Sequence, residues 1–233
     1  VFAEVHHPYK SELWTPGESD FTGSVVSKME AFSEACGKPS IHFFGHTHGY
    51  SRGQSRDHKH VMINVATAGG AIDYWGEWPQ VDYDEFSVSE DDWGFVLVEV
   101  EAGDEPKFSV KRLSRGDGNV ALDNALTDSF SVSKTDYIIT TPTTIYPVDI
   151  QVSPECVILR GSSFEIEEMH GASHWQVTET SGEYSDPLGE VWEQFENIYF
   201  NVDTQDGELI TEEYIAGMPE NTELWWRVRY RDK

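Results

Sequence analysis

The chain has 233 residues, enough for one large domain or two modest ones, and its 38% hydrophobic and 13% aromatic content can fill a core, which excludes a disordered chain. Sixteen Lys plus Arg against 42 Asp plus Glu leave a formal charge of −26, a field that repels phosphates and anionic lipid and excludes nucleic-acid binding through a basic face. Two cysteines, Cys36 and Cys156, exclude a disulfide-stapled scaffold and read as buried free thiols, and no apolar run is long enough to span a membrane.

The sequence begins inside an apolar run, Val1 to Val5, without a Met or a signal-peptide pattern, and reads as a fragment whose N-terminus lies upstream. That run is a buried strand delivering His6-His7-Pro8 at its C-terminal end. After a Pro16-Gly17 loop, Val25, Met29, Phe32 and Cys36 recur at helical spacing and predict one apolar helix face, closed by Gly37 and Pro39. Ile41 to Phe44 is a second strand and runs into Gly45-His46-Thr47-His48; Val61 to Val65 is a third and runs into Ala68-Gly69-Gly70. Strand, helix, strand and strand predict part of a layered α/β domain whose strand-end loops share one rim.

Gly94 to Glu101 and Lys107 to Leu113 read as an antiparallel pair, and residues 114 to 147 as a polar connection in which Phe130–Val132 and Tyr137–Ile139 add an edge strand or pack locally. Short strands follow at Asp149–Val152, Val157–Leu159, Phe164–Ile166, Trp175–Val177, Ile198–Val202 and Leu209–Ile215. A last one runs Leu224 to Arg231, with Leu224, Trp226, Val228 and Tyr230 on one face. Strands without intervening helices predict a β-sandwich, so the boundaries are residues 1–140 for the first domain and 141–233 for the second.

In Gly45-His46-Thr47-His48 two imidazoles at i and i+2 project to one side of an extended segment, where they can meet one metal ion or a close pair. With His6-His7-Pro8 after the preceding strand, the chain resembles the calcineurin-like metallophosphoesterase superfamily, which includes purple acid phosphatases. That family places a His-His-Pro or His-any-Pro segment after one strand and Gly-His-any-His after the next. Both occur here in that order, and Asn64 to Gly70 is similar to its glycine-rich strand end. The resemblance covers residues 1 to 113 and implies the second half of a catalytic domain of the α/β (α+β) metallophosphoesterase-type layered sandwich, followed by an all-β fibronectin type III or immunoglobulin-like module.

It further implies His6 and His46 on one metal ion and His48 on a second, the pair being Zn, Fe or Mn, with a phosphate ester as substrate. Hydrolysis of phosphomonoesters or phosphodiesters would proceed by metal-bound hydroxide. The family's Asp-any-His, Gly-Asp and Gly-Asn-His segments have no counterpart, so the remaining ligands and the catalytic residues are expected upstream of Val1 and the chain alone is expected to be inactive. Two other readings stand: a non-catalytic surface or binding protein with a degenerate phosphoesterase domain, and a mononuclear three-His zinc enzyme. The sandwich's likeness to extracellular modules implies secretion.

Other candidates carry plainer readings. His7 lines the substrate pocket or packs beside Pro8. Tyr50 and Arg52 contact phosphate or brace the loop, with bracing favoured. His42 reads as a satisfied core histidine, His58 and His60 as a solvated hairpin tip, and His170 and His174 as nothing specific. Asp73 to Trp78 is core packing or an apolar wall for a leaving group.

Overall fold

The computed structural model describes residues 1–135, 141–164, 170–195, 197–204 and 209–232. In chain order the elements are β1 (Phe2–Glu4), a 3-10 turn (Thr15–Gly17), α1 (Asp20–Cys36), β2 (Ser40–Phe44), β3 (Tyr50–Gln54), β4 (His60–Asn64), β5 (Phe86–Glu90), β6 (Trp93–Glu101), β7 (Lys107–Gly116), β8 (Ala121–Ser133), β9 (Thr144–Tyr146), β10 (Cys156–Gly161), β11 (His170–Thr178), β12 (Gly189–Gln194), β13 (Ile198–Tyr199), β14 (Val202–Asp203), β15 (Glu212–Ala216) and β16 (Trp225–Asp232). The chain divides into two compact units, one of Val1–Asp136 with Glu196–Thr204, the other of Tyr137–Phe195 with Gln205–Lys233.

The layered α/β metallophosphoesterase sandwich implied by the resemblance is not the architecture found. Strands hold 44% of residues and helices 9%, with several sheets and one α-helix among the described residues. The first unit has a seven-stranded mixed sheet ordered β1-β2-β4-β3-β5-β13-β14 and a three-stranded antiparallel sheet ordered β6-β7-β8. Ile41, Tyr50, Val61, Ile63 and Val88 of the larger sheet form one core with Phe108, Val110 and Val132 of the smaller. Strand alternation sends Ser40, His42 and Phe44 of β2 and His60, Met62 and Asn64 of β4 to the opposite face, where Ser40 Oγ reaches the Met29 carbonyl of α1 at 3.2 Å.

The helix forms as expected and ends where Gly37 takes φ 65°, its N–H returning to Ser33 O at 2.8 Å. Its buried face differs, being Thr22, Val26, Met29 and Ser33, whereas Phe32 and Cys36 are exposed. The cause is polar: Ser33 Oγ lies 2.8 Å from Ser40 Oγ, and Thr22 Oγ1 donates to His7 O at 2.8 Å, so two hydroxyls with partners replace two apolar residues. Both cysteines are exposed rather than buried, Cys36 on the last helical turn and Cys156 at the start of β10.

The expected β6–β7 pair is present in continuous register from Phe95↔Leu113 to Glu101↔Lys107. The polar connection is more ordered than its composition implies, since β8 runs 13 residues against β7. Arg112, fully buried, donates to Asp92 Oδ1 at 2.7 Å.

The second unit has two three-stranded antiparallel sheets, β15-β10-β9 and β12-β11-β16, sharing a core of Val157, Leu159, Trp175, Val177, Ile215 and Val228. Leu224, Trp226 and Tyr230 pack on that core, as the alternation in the last strand requires. Asp149–Val152 is not a strand; Thr144–Tyr146 pairs with β10 instead. Ile198–Val202 is not part of this unit, because Ile198 pairs with Val88 of β5 in the first. Tyr137–Ile139 and most of Phe164–Ile166 lie outside the described residues. No helix among the described residues is long and apolar enough to cross a membrane.

Candidate metal centre

The imidazoles meet because of strand register. β1 and β2 are parallel, with Glu4 opposite Phe43, and the ladder continues one step past both strands through Val5 N–H to Phe43 O at 3.0 Å and Gly45 N–H to His6 O at 3.1 Å. Parallel strands end on the same edge, so His6-His7 and His46 emerge side by side. His46 Nδ1 lies 3.2 Å from His6 Nε2, and the His7 and His46 ring centroids are 4.2 Å apart. One ligand atom from each of His6, His7 and His46 lies within 4.8 Å of the others, and no other His, Cys, Asp or Glu among the described residues joins the group.

His48 takes a different place from the one its spacing implies. Equal sidedness at i and i+2 holds only for continuous extended backbone, and His46 has φ 71°, in the left-handed region that bulky residues avoid. Tight turns follow, Thr47 N–H donating to Gly45 O at 2.8 Å and Gly49 N–H to Thr47 O at 3.1 Å. His48 is thereby carried to the 70–75 loop, its Nδ1 2.6 Å from Ala71 O and its amide donating to Asp73 Oδ2 at 2.7 Å. With Nδ1–H donating to that carbonyl, Nε2 holds the lone pair and makes no hydrogen bond among the described residues.

The turn is pinned from below. Asn64, fully buried at the end of β4, donates through Nδ2 to Thr47 O at 2.8 Å and Thr47 Oγ1 at 2.9 Å. Thr47, also fully buried, accepts from Ser11 Oγ at 3.2 Å. Gly49 has no room for a side chain: a Cβ there would stand 2.0 Å from Leu13 Cδ1. The Trp14 ring stacks on His46 at 4.7 Å and 25°, and Trp78 lies 5.0 Å beyond Trp14. Such a cluster supports a left-handed residue whose strain, of order 1–3 kcal/mol, must be offset by neighbouring contacts.

Burial first, then the neighbouring His7, His6 and His48, push the His46 pKa below its ordinary value against the opposing Asp73, in the direction of the neutral form that ligates a metal. A tetrahedral ion with ~2.0 Å bonds needs ligand nitrogens about 3.3 Å apart, close to the separation His6 and His46 already have. His6 and His7 are exposed and free to close the remaining gap. Three converging imidazoles are a donor set that could hold a zinc-type ion.

The other candidates fall into place. Arg52 Nε and Nη2 grip Asp128 at 2.6 and 3.1 Å while Tyr50 Oη donates to Asp128 Oδ2 at 2.7 Å, so both brace β3 against β8 as favoured. His42 is fully buried but not fully satisfied, since its Nε2 has no hydrogen-bond partner among the described residues. His60 is not at a solvated tip; it is fully buried, bonded to His42 and Ser40, because β4 begins at residue 60 rather than beyond it. Asn64, Thr47 and Trp14 were not readable as site residues: a strand-end amide, the middle of a motif and a loop aromatic carry no spacing signal. Comparison with protein-family models, curated proteins and solved structures gives no match for the chain.

Proposed function

We propose that His6, His7 and His46 bind one zinc-type divalent ion and that the centre serves hydrolysis of a phosphoric ester. The reading is supported by the convergence of three imidazoles within 4.8 Å, one of them His46 on a left-handed backbone. When bound, such an ion neutralises ester charge and lowers the pKa of its water toward ~7. His7 then acts as a ligand rather than as a pocket wall. Trp14 covers one face of His46 and keeps water from it.

A second ion, which the family resemblance implies, would call on His48 Nε2. The three imidazoles supply no anionic ligand, and two close cations repel strongly unless a carboxylate bridges them, so the single-ion reading is the one these residues support. Secretion remains part of the proposal only through the resemblance to extracellular modules.

Calorimetric titration of residues 1–233 with Zn²⁺ tests the assignment. One site is expected, weakened at least tenfold by His6→Ala, His7→Ala or His46→Ala and unchanged by His48→Ala. Absence of binding overturns the metal reading. Because the chain alone is expected to be inactive, hydrolysis of an aryl phosphate monoester or diester is assayed with any sequence that precedes Val1 in place, and tight binding without hydrolysis there would favour the non-catalytic binding protein.

A further inference from the structure

We infer that the β13–β14 hairpin is a clamp that positions the 70–75 loop and thereby aims His48, with Asn201 as the positioning residue. The hairpin lies between β12 and β15 in sequence, yet it extends the edge of the first unit's sheet through Ile198↔Val88. It turns on two residues, Phe200 and Asn201, both at φ 56°, with Ile198↔Asp203 and Tyr199↔Val202 paired on either side. A two-residue turn with both centres left-handed favours Asn and Gly, so Asn201 suits its place and Phe200 does not.

What holds Phe200 there is Trp75. The two rings stack at 5.0 Å and 28°, and Tyr199 meets the same indole edge-on at 5.2 Å. Asn201 closes the contact with a polar latch: its Oδ1 accepts from Trp75 Nε1 at 3.0 Å, its Nδ2 donates to Asp91 Oδ1, and Asp91 Oδ2 accepts from the Trp75 amide at 3.0 Å. The Trp75 ring is thus held by residues more than a hundred positions away, and its backbone amide by Asp91, which Asn201 itself binds. Two residues earlier, Asp73 exchanges backbone and side-chain bonds with His48, and Ala71 O takes the His48 Nδ1 proton. Gly70 lets this loop press against the imidazole, since a Cβ there would stand 3.3 Å from His48 Cε1.

Position of the loop sets the tautomer, and the tautomer decides which nitrogen His48 can offer to a ligand. The inference goes beyond the proposed single ion, in which His48 takes no part, and its geometry stands without any metal.

Nitrogen-15 imidazole spectra of residues 1–233, wild type and Asn201→Gly, test it at one neutral pH. Glycine keeps the left-handed backbone and removes only the latch. Wild-type His48 is expected as the Nδ1–H tautomer; in Asn201→Gly it should become a mixture of both tautomers, while the amides of β4 and zinc binding by the three imidazoles stay within twofold of wild type. Trp75→Phe, which keeps the ring stack and loses the Nε1 donor, should shift His48 in the same way and serves if the glycine variant does not fold. An Nε2–H tautomer in the wild type, or an unmoved His48 in the folded variants, overturns the inference. Failure of His6, His7 and His46 to bind zinc would overturn the proposed function and leave the clamp standing.

Discussion

The stacked imidazoles of His42 and His60 should make stability depend steeply on acid, and the wild-type chain should conceal it. Both rings are fully buried, parallel within 8° and joined at 2.9 Å. Burial holds His42 down to about 4, and burial with the neighbouring His42 and His58 holds His60 down to about 3, from an ordinary 6.5. The unfolded chain therefore takes up the protons first, so their contribution is whole above pH 6.5 and is lost as pH falls toward 4. Between pH 7 and pH 5 the loss is about 2 kcal/mol for each ring, about 4 together. Glu12 and Glu90 work the other way. Burial raises them from 4.5 to about 8 and about 7, so their contribution is whole below pH 4.5 and lost as pH rises through those values. Over the same interval acidification returns roughly 2 to 3 kcal/mol for each, enough to offset the histidines. Wild type should then be flat to within about 1 kcal/mol from these four groups, whereas Glu12→Gln/Glu90→Gln should lose about 4 kcal/mol between pH 7 and pH 5. Urea unfolding followed by NMR at the Val61, Met62 and Ile63 amides reads the first unit alone. A double variant as flat as wild type would show that the buried pair is not held neutral, and the reasoning would fail.

Three further outcomes are expected. Asn64→Ala removes both donors to buried Thr47 and should cost about 2–3 kcal/mol, with zinc affinity falling roughly tenfold or more as the His46 turn loosens; thermal unfolding and calorimetry measure the two effects. Gly49→Ala drives a Cβ to 2.0 Å from Leu13 Cδ1 and 3.1 Å from Glu90 O, and should destabilise by about 1–3 kcal/mol in urea titration. At Asp128 burial pushes the carboxyl up, but the Arg52 charge and the bonds from Arg52 and Tyr50 outweigh it and hold the group below its ordinary 3.8, so its contribution is present above that pH and lost as pH falls through the lowered value. Asp128→Asn should accordingly cost about 3 kcal/mol at pH 7, where Arg52 and Tyr50 lose their bonds to the buried carboxylate, and less at pH 3.

Much of the scaffold around the centre was legible because it depends on local pattern. Apolar runs at Val1–Val5, Ile41–Phe44 and Val61–Val65 became the three parallel strands, and Gly37 ended the helix at the residue where a left-handed cap was required. What could not be read depends on partners. Ser33 and Thr22 are buried only because Ser40 and the His7 carbonyl receive them, and His60 only because His42 does. Chain order reads Ile198–Val202 as one strand beside its sequence neighbours, whereas the segment is a hairpin, Ile198–Tyr199 against Val202–Asp203, on the sheet of the first unit.

The membership of the imidazole cluster shows the same division within one motif. Spacing inside Gly45-His46-Thr47-His48 pairs His46 with His48 only if every residue between them is extended, and the φ of His46 breaks that condition. The pairing that survives is set by register across strands: Glu4 opposite Phe43 brings His6 beside Gly45, and the next residue on each chain is an imidazole. His7 and His46 are therefore related through a parallel ladder, at a separation in sequence that no motif of four residues can contain. The left-handed φ of His46 ends the alternation that would set His48 beside His46, and His48 lies instead on the 70–75 loop, bonded to Ala71 and Asp73, while the parallel ladder supplies His7 to the cluster.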